Sequence, residues 1–231
     1  MPLDAIRGGA AAVGLHSGAR VLEIGAGCGQ LTVGLLEAGF EVVALEPGAS
    51  LRARAEARAP AATYVALIFE DFSPDDRFDA VYSANAFHWV DPEVGYAKVA
   101  DLADAFVLIW NTPFVADAEL RRRVQDGVMI PHGSKFPTEE ADVRQLVTDE
   151  IEAMCGRLRD AGRFNEPWTD VYERTLSYTP ERYRDLIGSM GHVASLPDAD
   201  VMLAELMPVL GSEPFDVVDL VWVIAARTVR D

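Results

Sequence analysis

The chain has 231 residues, half of them hydrophobic, and its 37 acidic side chains outweigh 20 Lys and Arg to give a formal net charge of -17. This length suffices for one full core with an inserted segment and argues against two domains of equal size. The negative charge opposes binding of DNA, RNA or another polyanion.

The cysteines and the N-terminal sequence indicate where the protein is located and whether it binds a metal. Cys28 and Cys155 are the only cysteines, and they match neither a disulfide framework nor a metal-ligand pair. Residues 1–20 contain no apolar stretch as long as a signal peptide or a membrane span. We therefore expect a soluble cytoplasmic protein with no bound metal and no membrane partner. The sequence indicates no oligomeric state.

A glycine-rich turn follows the first predicted strand, residues 21–24. It reads Gly25-Ala26-Gly27-Cys28-Gly29, and its alternate glycines let the backbone approach a ligand without intervening side chains. Glu46 comes 21 residues after Gly25, at the end of the next apolar run. A carboxylate there can accept hydrogen bonds from both hydroxyls of a ribose. The sequence therefore predicts a site for an adenosine-bearing cofactor.

The spacing of the glycines and the acid before them favour one cofactor over another. A dinucleotide turn is spaced G-x-G-x-x-G, whereas here the third glycine comes one residue early and Gln30 takes its place. Glu23 adds a negative charge that repels a diphosphate and attracts a sulfonium or an ammonium group. S-adenosylmethionine fits this turn better than NAD, so a nicotinamide-dependent dehydrogenase is the disfavoured alternative.

The following elements alternate between strand and helix. Helices are predicted up to Gly39, over 50–59 and over 91–102, and further strands over 41–45, 63–69, 78–83 and 105–110. Strands that alternate with helices form a mostly parallel sheet covered on both faces, with ligands at the carboxyl ends of the strands. The Glu70-Asp71-Phe72 and Ser83-Ala84 segments lie at such ends.

The second half of the chain is predicted to be mainly helical. Helices over 118–128 and 138–158 fill a region without strand signal that is too long for a bare connection. A strand over 171–178, helices over 180–190 and 198–210, and a last strand over 215–226 follow. We expect that last strand to be antiparallel and to lie at the sheet edge. The one basic cluster, Arg121 to Arg123, is typical of a solvated helix face.

Two segments carry a family resemblance. Glu23 and the three glycines are similar to the E/D-x-G-x-G-x-G motif of the class I S-adenosylmethionine-dependent methyltransferases. The run Ala86-Phe87-His88-Trp89-Val90-Asp91-Pro92 resembles the A-F-H-W-x-D-P segment of a bacterial subgroup of small-molecule methyltransferases that includes trans-aconitate methyltransferase-like proteins. The resemblance implies a Rossmann-like α/β fold with a seven-stranded sheet, one domain with a core over 18–112, a helical cap insertion over 113–170, and completing strands and helices over 171–231.

The resemblance and the residues together give the predicted site. Cofactor contacts are expected from Glu23, Gly25, Ala26, Gly27, Gly29, Leu31, Glu46, Pro47, Glu70, Asp71, Phe72, Ser83, Ala84 and Phe87. The resemblance implies that Glu70 or Asp71 accepts a hydrogen bond from the adenine amino group while Phe72 packs on the ring, and it does not choose between the two acids.

His88 is the candidate catalytic base, because its ordinary pKa near 6.5 suits proton transfer at neutral pH. A structural role for this histidine is the alternative, since Phe87 and Trp89 beside it suggest core packing. Either aromatic ring could instead face the sulfonium. Trp89, Trp110 and Asn111 are further substrate candidates.

These features predict transfer of a methyl group from S-adenosylmethionine to an oxygen, nitrogen or carbon atom of a small metabolite. The alternative is a protein that retains the cofactor without methylating, such as a cyclase or a partner in a biosynthetic complex. Relatives carry an N-terminal Tyr and an R-P-x-Y-P segment that folds over the cofactor. Residues 1–17 lack both, so we expect another element to close the pocket or the cofactor affinity to be lower.

Overall fold

The computed structural model describes residues 1–230, with His192 and Ala194 described through their backbone alone. The strands within this range are β1 (Arg20–Ile24), β2 (Glu41–Leu45), β3 (Thr63–Val65), β4 (Ala80–Ala84), β5 (Ala105–Val115), β6 (Trp168–Tyr178) and β7 (Phe215–Arg227).

Helices separate most of these strands. They are α1 (Leu3–Ala12), α2 (Gln30–Glu37), α3 (Ala49–Arg58), α4 (Pro92–Leu102), α5 (Ala118–Val124), α6 (Glu140–Asp160), α7 (Pro180–Gly188), α8 (Gly191–Ala194) and α9 (Ala199–Leu210). Short 3-10 turns cover Phe69–Asp71 and Phe87–Trp89, and a π-helical turn covers Gln125–Met129. None of the helices in the described residues has the length and apolar character needed to cross a membrane.

The seven strands form one sheet in the order β3-β2-β1-β4-β5-β7-β6. The pairs β1–β2, β1–β4, β2–β3 and β4–β5 are parallel. Strand β7 runs antiparallel to β5, because the Ala116 N–H donates to the Asp216 carbonyl while the Thr228 N–H donates to that of Asp104. The antiparallel direction was predicted, but the edge position was wrong. β7 lies between β5 and β6, where its nearly unbroken apolar run is buried on both faces.

The chain divides into two compact units. The first unit comprises Met1–Asn111, Ile151–Tyr172 and residues 221–230, and the second comprises Thr112–Glu150 and Glu173–Leu220. The core of the first unit joins α1, α2 and the apolar strand residues, with Ile6, Leu35, Val107 and Val223 fully buried. Strands of a parallel sheet are buried on both faces, which explains why the apolar runs at 42–45 and 105–109 are nearly continuous.

Several helix starts follow the signals expected from the sequence. Asp91 caps α4 by accepting from the Glu93 N–H, and Pro92 occupies the first turn. Thr179 and Pro180 start α7 in the same way. The helix predicted over 118–128 instead changes to the π-helical turn after Val124, and β5 runs five residues beyond its predicted end at Trp110.

Arg121 corrects the interpretation of the basic cluster. Its side chain is 4% exposed, and its guanidinium donates to the carbonyls of Val115 at 2.6 Å, Ala116 at 3.0 Å and Thr138 at 2.8 Å. Arg122 does lie at the surface, paired with Glu139 at 2.9 Å. The prediction of a solvated face is therefore wrong for Arg121, whose planar fork satisfies carbonyls inside the second unit.

Candidate active site

The glycine turn connects β1 to α2 in the first unit. Gly25, Gly27 and Gly29 have φ values of 74°, 56° and 81°, in the left-handed region. A Cβ atom on Gly25 would lie 2.5 Å from the Ala86 Cβ, and one on Gly29 would lie 3.0 Å from the Ala55 Cα. Only glycine combines this conformation with such close approaches. Nothing lies within 4 Å of a Cβ built on Gly27, so the middle of the turn faces open space.

Glu46 fixes the turn to the loop after β2. Its Oε2 accepts from the Gly27 N–H at 2.8 Å and its Oε1 accepts from the Gly48 N–H at 2.8 Å, with 6% of the residue exposed. A carboxylate offers about four acceptor positions. The two amides therefore orient the group and leave acceptor capacity for a pair of vicinal hydroxyls.

Glu23 is fully inside the first unit rather than at its surface. Its carboxylate accepts a 2.6 Å hydrogen bond from the Thr32 hydroxyl, and 1% of the residue is exposed. Burial raises its pKa to about 7, against the opposing hydrogen bonds from Thr32. The full negative charge expected from the sequence is therefore only partly present at neutral pH.

The two acids that follow β3, Glu70 and Asp71, lie in different environments. The Glu70 Oε1 accepts from the Asp91 N–H at 2.9 Å, and the Glu70 carbonyl accepts from the Lys98 Nζ at 2.7 Å. Asp71 is exposed. Glu70 thus ties this turn to the start of α4, whereas Asp71 is the acid on the solvent side.

A pair of asparagines joins the end of β4 to the middle of β5. The Asn85 Nδ2 donates to the Asn111 Oδ1 at 3.2 Å, and the Asn111 N–H donates to the Asn85 Oδ1 at 3.0 Å. Asn85 has φ 52°, the one positive value among the described residues other than glycine. Ser83 donates from its hydroxyl to the Ile24 carbonyl at 3.1 Å, which ties β4 to β1.

Asn85 is a candidate site residue that the sequence interpretation missed. Asparagine is enriched in the left-handed conformation, and this one follows a buried strand directly, which is the signal that could have found it.

The Phe87-His88-Trp89 turn places one ring in the core and two at the surface. Phe87 is 4% exposed and packs edge-on against Tyr96 at 5.2 Å and Phe106 at 4.8 Å between centroids, so it is a core residue. Trp89 is 73% exposed, and core packing is wrong for it. His88 is also exposed, with its ring 5.0 Å from that of Trp89, and partial burial lowers its pKa.

The remaining predicted residues fall into three groups. The side chains of Ala26, Leu31 and Phe72 are buried in the core, which leaves their backbone for any ligand contact. Pro47 is exposed and Ala84 is half-buried. Trp110 stacks on Trp222 at 4.5 Å between ring centroids and 14° between planes.

Exposed apolar side chains concentrate near the carboxyl ends of β2, β3 and β4. Leu51, Leu67, Ile68, Trp89 and Val94 are each at least 38% exposed. Small-molecule sites combine such apolar surface with a few fixed polar groups, and Glu46 and the asparagine pair supply those here. In an open parallel sheet this edge is where ligands bind.

Comparison with known proteins gives the family to which the chain belongs. The family described as methyltransferase domain matches residues 21–105, which span β1 to the start of β5. An uncharacterized methyltransferase of Staphylococcus carnosus is 42% identical over 148 residues, covering 62% of this chain and 69% of that protein. The chain belongs to the class I S-adenosylmethionine-dependent methyltransferases.

Two further comparisons extend the likeness. An uncharacterized methyltransferase of Mycobacterium tuberculosis is 28% identical over 190 residues, covering 77% of this chain and 67% of that protein. A solved structure from Anaeromyxobacter dehalogenans, assigned as a type II methyltransferase, superposes with a TM-score of 0.70 at 21% identity, over 98% of this chain and 96% of that one. The comparisons confirm the predicted Rossmann-like fold. They also confirm the prediction that the chain belongs to a methyltransferase family whose cofactor is S-adenosylmethionine.

Proposed function

We propose that this methyltransferase acts on a small-molecule acceptor at the carboxyl edge of β1, β2, β4 and β5. The observation that carries the proposal is the glycine turn held by Glu46 beside open space at Gly27. The formal charge of -17 supports a small acceptor over a nucleic acid, since a polyanion would be repelled.

The residues at this edge fit S-adenosylmethionine. Gly25 to Gly29 would present backbone to it, and Glu46 would accept from the ribose hydroxyls with its remaining lone pairs. We assign the adenine amino group to Asp71, because its carboxylate is exposed, whereas that of Glu70 is turned toward the start of α4 by its hydrogen bond from the Asp91 N–H. When bound, the cofactor supplies an activated methyl carbon on a sulfonium.

The chain's own residues then align the acceptor and handle its proton. We propose His88 as the base: its ring is exposed at the end of β4, and a lowered pKa keeps it neutral at physiological pH, ready to accept a proton from the attacking atom. Asn85 and Asn111 present an ordered pair of amides at the same edge, suited to orienting a polar group of the acceptor.

A screen tests the acceptor class. The purified protein is incubated with S-adenosylmethionine and pools of amines, phenols, carboxylic acids and thiols, with tRNA and a protein extract as separate arms, and mass spectrometry detects the added methylene unit. We expect methylation in a small-molecule pool. Methylation of tRNA or protein alone would contradict the proposal, and cofactor binding without transfer to any acceptor would favour a cyclase or complex partner.

Calorimetry with S-adenosylmethionine tests the role of Glu46. We expect Glu46→Gln to weaken binding by about tenfold to a hundredfold, because a charge-assisted acceptor is replaced by a neutral amide. Glu56→Gln is the matched control, since Glu56 lies on α3 in the same unit and is 54% exposed. Equal affinities of the two variants would mean that Glu46 does not hold the cofactor.

The pH dependence of turnover tests His88. His88→Gln should lower kcat by about a hundredfold or more and abolish the rise of rate with pH through the titration of the base, while cofactor affinity stays unchanged. His16→Gln is the control, as His16 is an exposed histidine of the first unit. An intact pH profile in His88→Gln would rule out the base role.

A further inference from the structure

A cavity of about 300 Å³ lies wholly within the second unit, and none of the residues proposed for methyl transfer lines it. The residues that line it come from the loop after the π-helical turn, from α6 and from the segment before α9. They are Gly133, Ser134, Lys135, Phe136, Leu146 and Leu196. Its volume is at the lower end of the range for small-molecule sites.

The loop that forms one wall is fixed in place. The ring of His132 lies between two carboxylates, with its Nδ1 2.5 Å from the Asp198 Oδ2 and its Nε2 2.9 Å from the Glu205 Oε2. The Ser134 N–H donates to the Met129 carbonyl, and the Phe136 N–H donates to the Ser134 hydroxyl. A wall held by these contacts needs little reordering when a ligand enters.

The lining is apolar apart from one serine and one cation. Phe136, Leu146 and Leu196 give aliphatic and aromatic surface, and Ser134 already accepts a hydrogen bond through its hydroxyl. Lys135 is exposed, and among the described residues no carboxylate lies within ion-pair distance of it. Asp198 and Glu205 both pair with His132, and Glu139 pairs with Arg122.

We propose that this cavity binds a small amphiphile with an aliphatic body and one carboxylate group. The body lies against Phe136, Leu146 and Leu196, and the carboxylate lies beside Lys135. Charge complementarity selects this occupant: the chain as a whole repels anions, so an unpaired ammonium next to apolar surface marks a place where a single negative charge is favoured.

Calorimetry on the full chain with octanoate tests the proposal, with octanol and octylammonium as probes of equal length and different charge. We expect one octanoate to bind per chain and octanol to bind about threefold to fivefold more weakly, because an exposed ion pair with Lys135 adds only a small factor to the affinity. Octylammonium should bind more weakly still, because its charge is repelled by that of Lys135. In the series butanoate, hexanoate, octanoate, each added methylene that is buried should raise affinity by about threefold to fourfold.

Variants separate the two parts of the site. Lys135→Gln should lower the affinity for octanoate to that for octanol and leave the affinity for octanol unchanged. Arg144→Gln is the control and should change neither affinity, because this cation on α6 is already paired with Glu140 and Glu173. Leu146→Trp should abolish binding of all three probes by filling the cavity. Leu196→Phe provides a second filling variant at another point of the lining, and thermal melting confirms that each variant is folded.

Several results would overturn the inference. Equal affinity for octanoate and octylammonium, or no effect of Lys135→Gln, contradicts the charge assignment. Unchanged binding in both folded filling variants places the probes elsewhere, and absence of octanoate binding removes the site. Cofactor binding and methyl transfer, measured in the same samples, report independently on the proposed function.

Discussion

The glycine turn of the first unit and the helices of the second unit are held by contacts of different reach along the chain. In the first unit, Glu46 is bonded to Gly48 two residues away and to Gly27, 19 residues away. In the second unit, His132 reaches Asp198, 66 residues away, and Arg123 donates to Val209, 86 residues away. The glycine turn is therefore recognisable from a short stretch of sequence, whereas these contacts of His132 and Arg123 join segments that no local pattern connects.

The largest expected effect comes from Arg121 in the second unit. Arg121→Gln should lower the free energy of unfolding by about 4 kcal/mol, since up to three carbonyls lose a charged donor. Arg122→Gln, one residue away and at the surface, should leave it nearly unchanged, because an exposed ion pair contributes little. Urea unfolding measures both, and similar values would mean that the buried fork does not organise this unit.

Gly25 tests whether the glycine turn of the first unit is as exacting as its geometry indicates. Gly25→Ala should lower the free energy of unfolding by about 3 to 4 kcal/mol, because a Cβ atom is unfavourable in the left-handed conformation and would lie 2.5 Å from the Ala86 Cβ. Gly18→Ala is the matched control: Gly18 has φ 85°, and nothing lies within 4 Å of its Cβ position. Gly18→Ala should lower the free energy of unfolding by about 1 to 2 kcal/mol, from the strain of the left-handed backbone alone. Equal losses in urea unfolding would show that the close approach is relieved.

Glu23 tests the electrostatics of the same unit. Its pKa is about 7 in the folded chain, against an ordinary value of 4.5 for an exposed glutamate in the unfolded chain. Between these values the folded chain holds more protons, so this group makes stability fall as pH rises through that window. Relative to Glu23→Gln, the wild type should lose about 3 kcal/mol from about pH 4 to pH 8. Parallel stability curves for the two proteins would contradict a buried, protonated Glu23.

His132 gives the smallest effect and returns to the second unit. Hydrogen bonds that its ring donates to the Glu205 and Asp198 carboxylates raise its pKa, so its contribution to stability is fully present below the ordinary pKa and is lost as pH rises through the raised one. His132→Gln should therefore melt below the wild type at acidic pH, with a difference that shrinks in alkaline buffer. A difference independent of pH would indicate a packing role alone.

Sequence predicted most of the first unit and the order of its elements. Periodicity located β1, β2, β4 and α4 closely, because each is a local run bounded by Gly, Pro or Asp. It could not place β7 between β5 and β6, since strand order depends on pairing across distant segments. It also misjudged Trp89 and Arg121, whose exposure is set by neighbours from other parts of the chain.

The position of β7 has a consequence for biosynthesis. Both of its neighbours in the sheet, β5 and β6, precede it in the chain and leave the ribosome first. Until β7 emerges, β5 presents an unpaired and strongly apolar edge, the kind of surface that pairs with other nascent chains. We therefore expect synthesis to pass through a stage in which this edge is open to pairing with another chain, until β7 covers it.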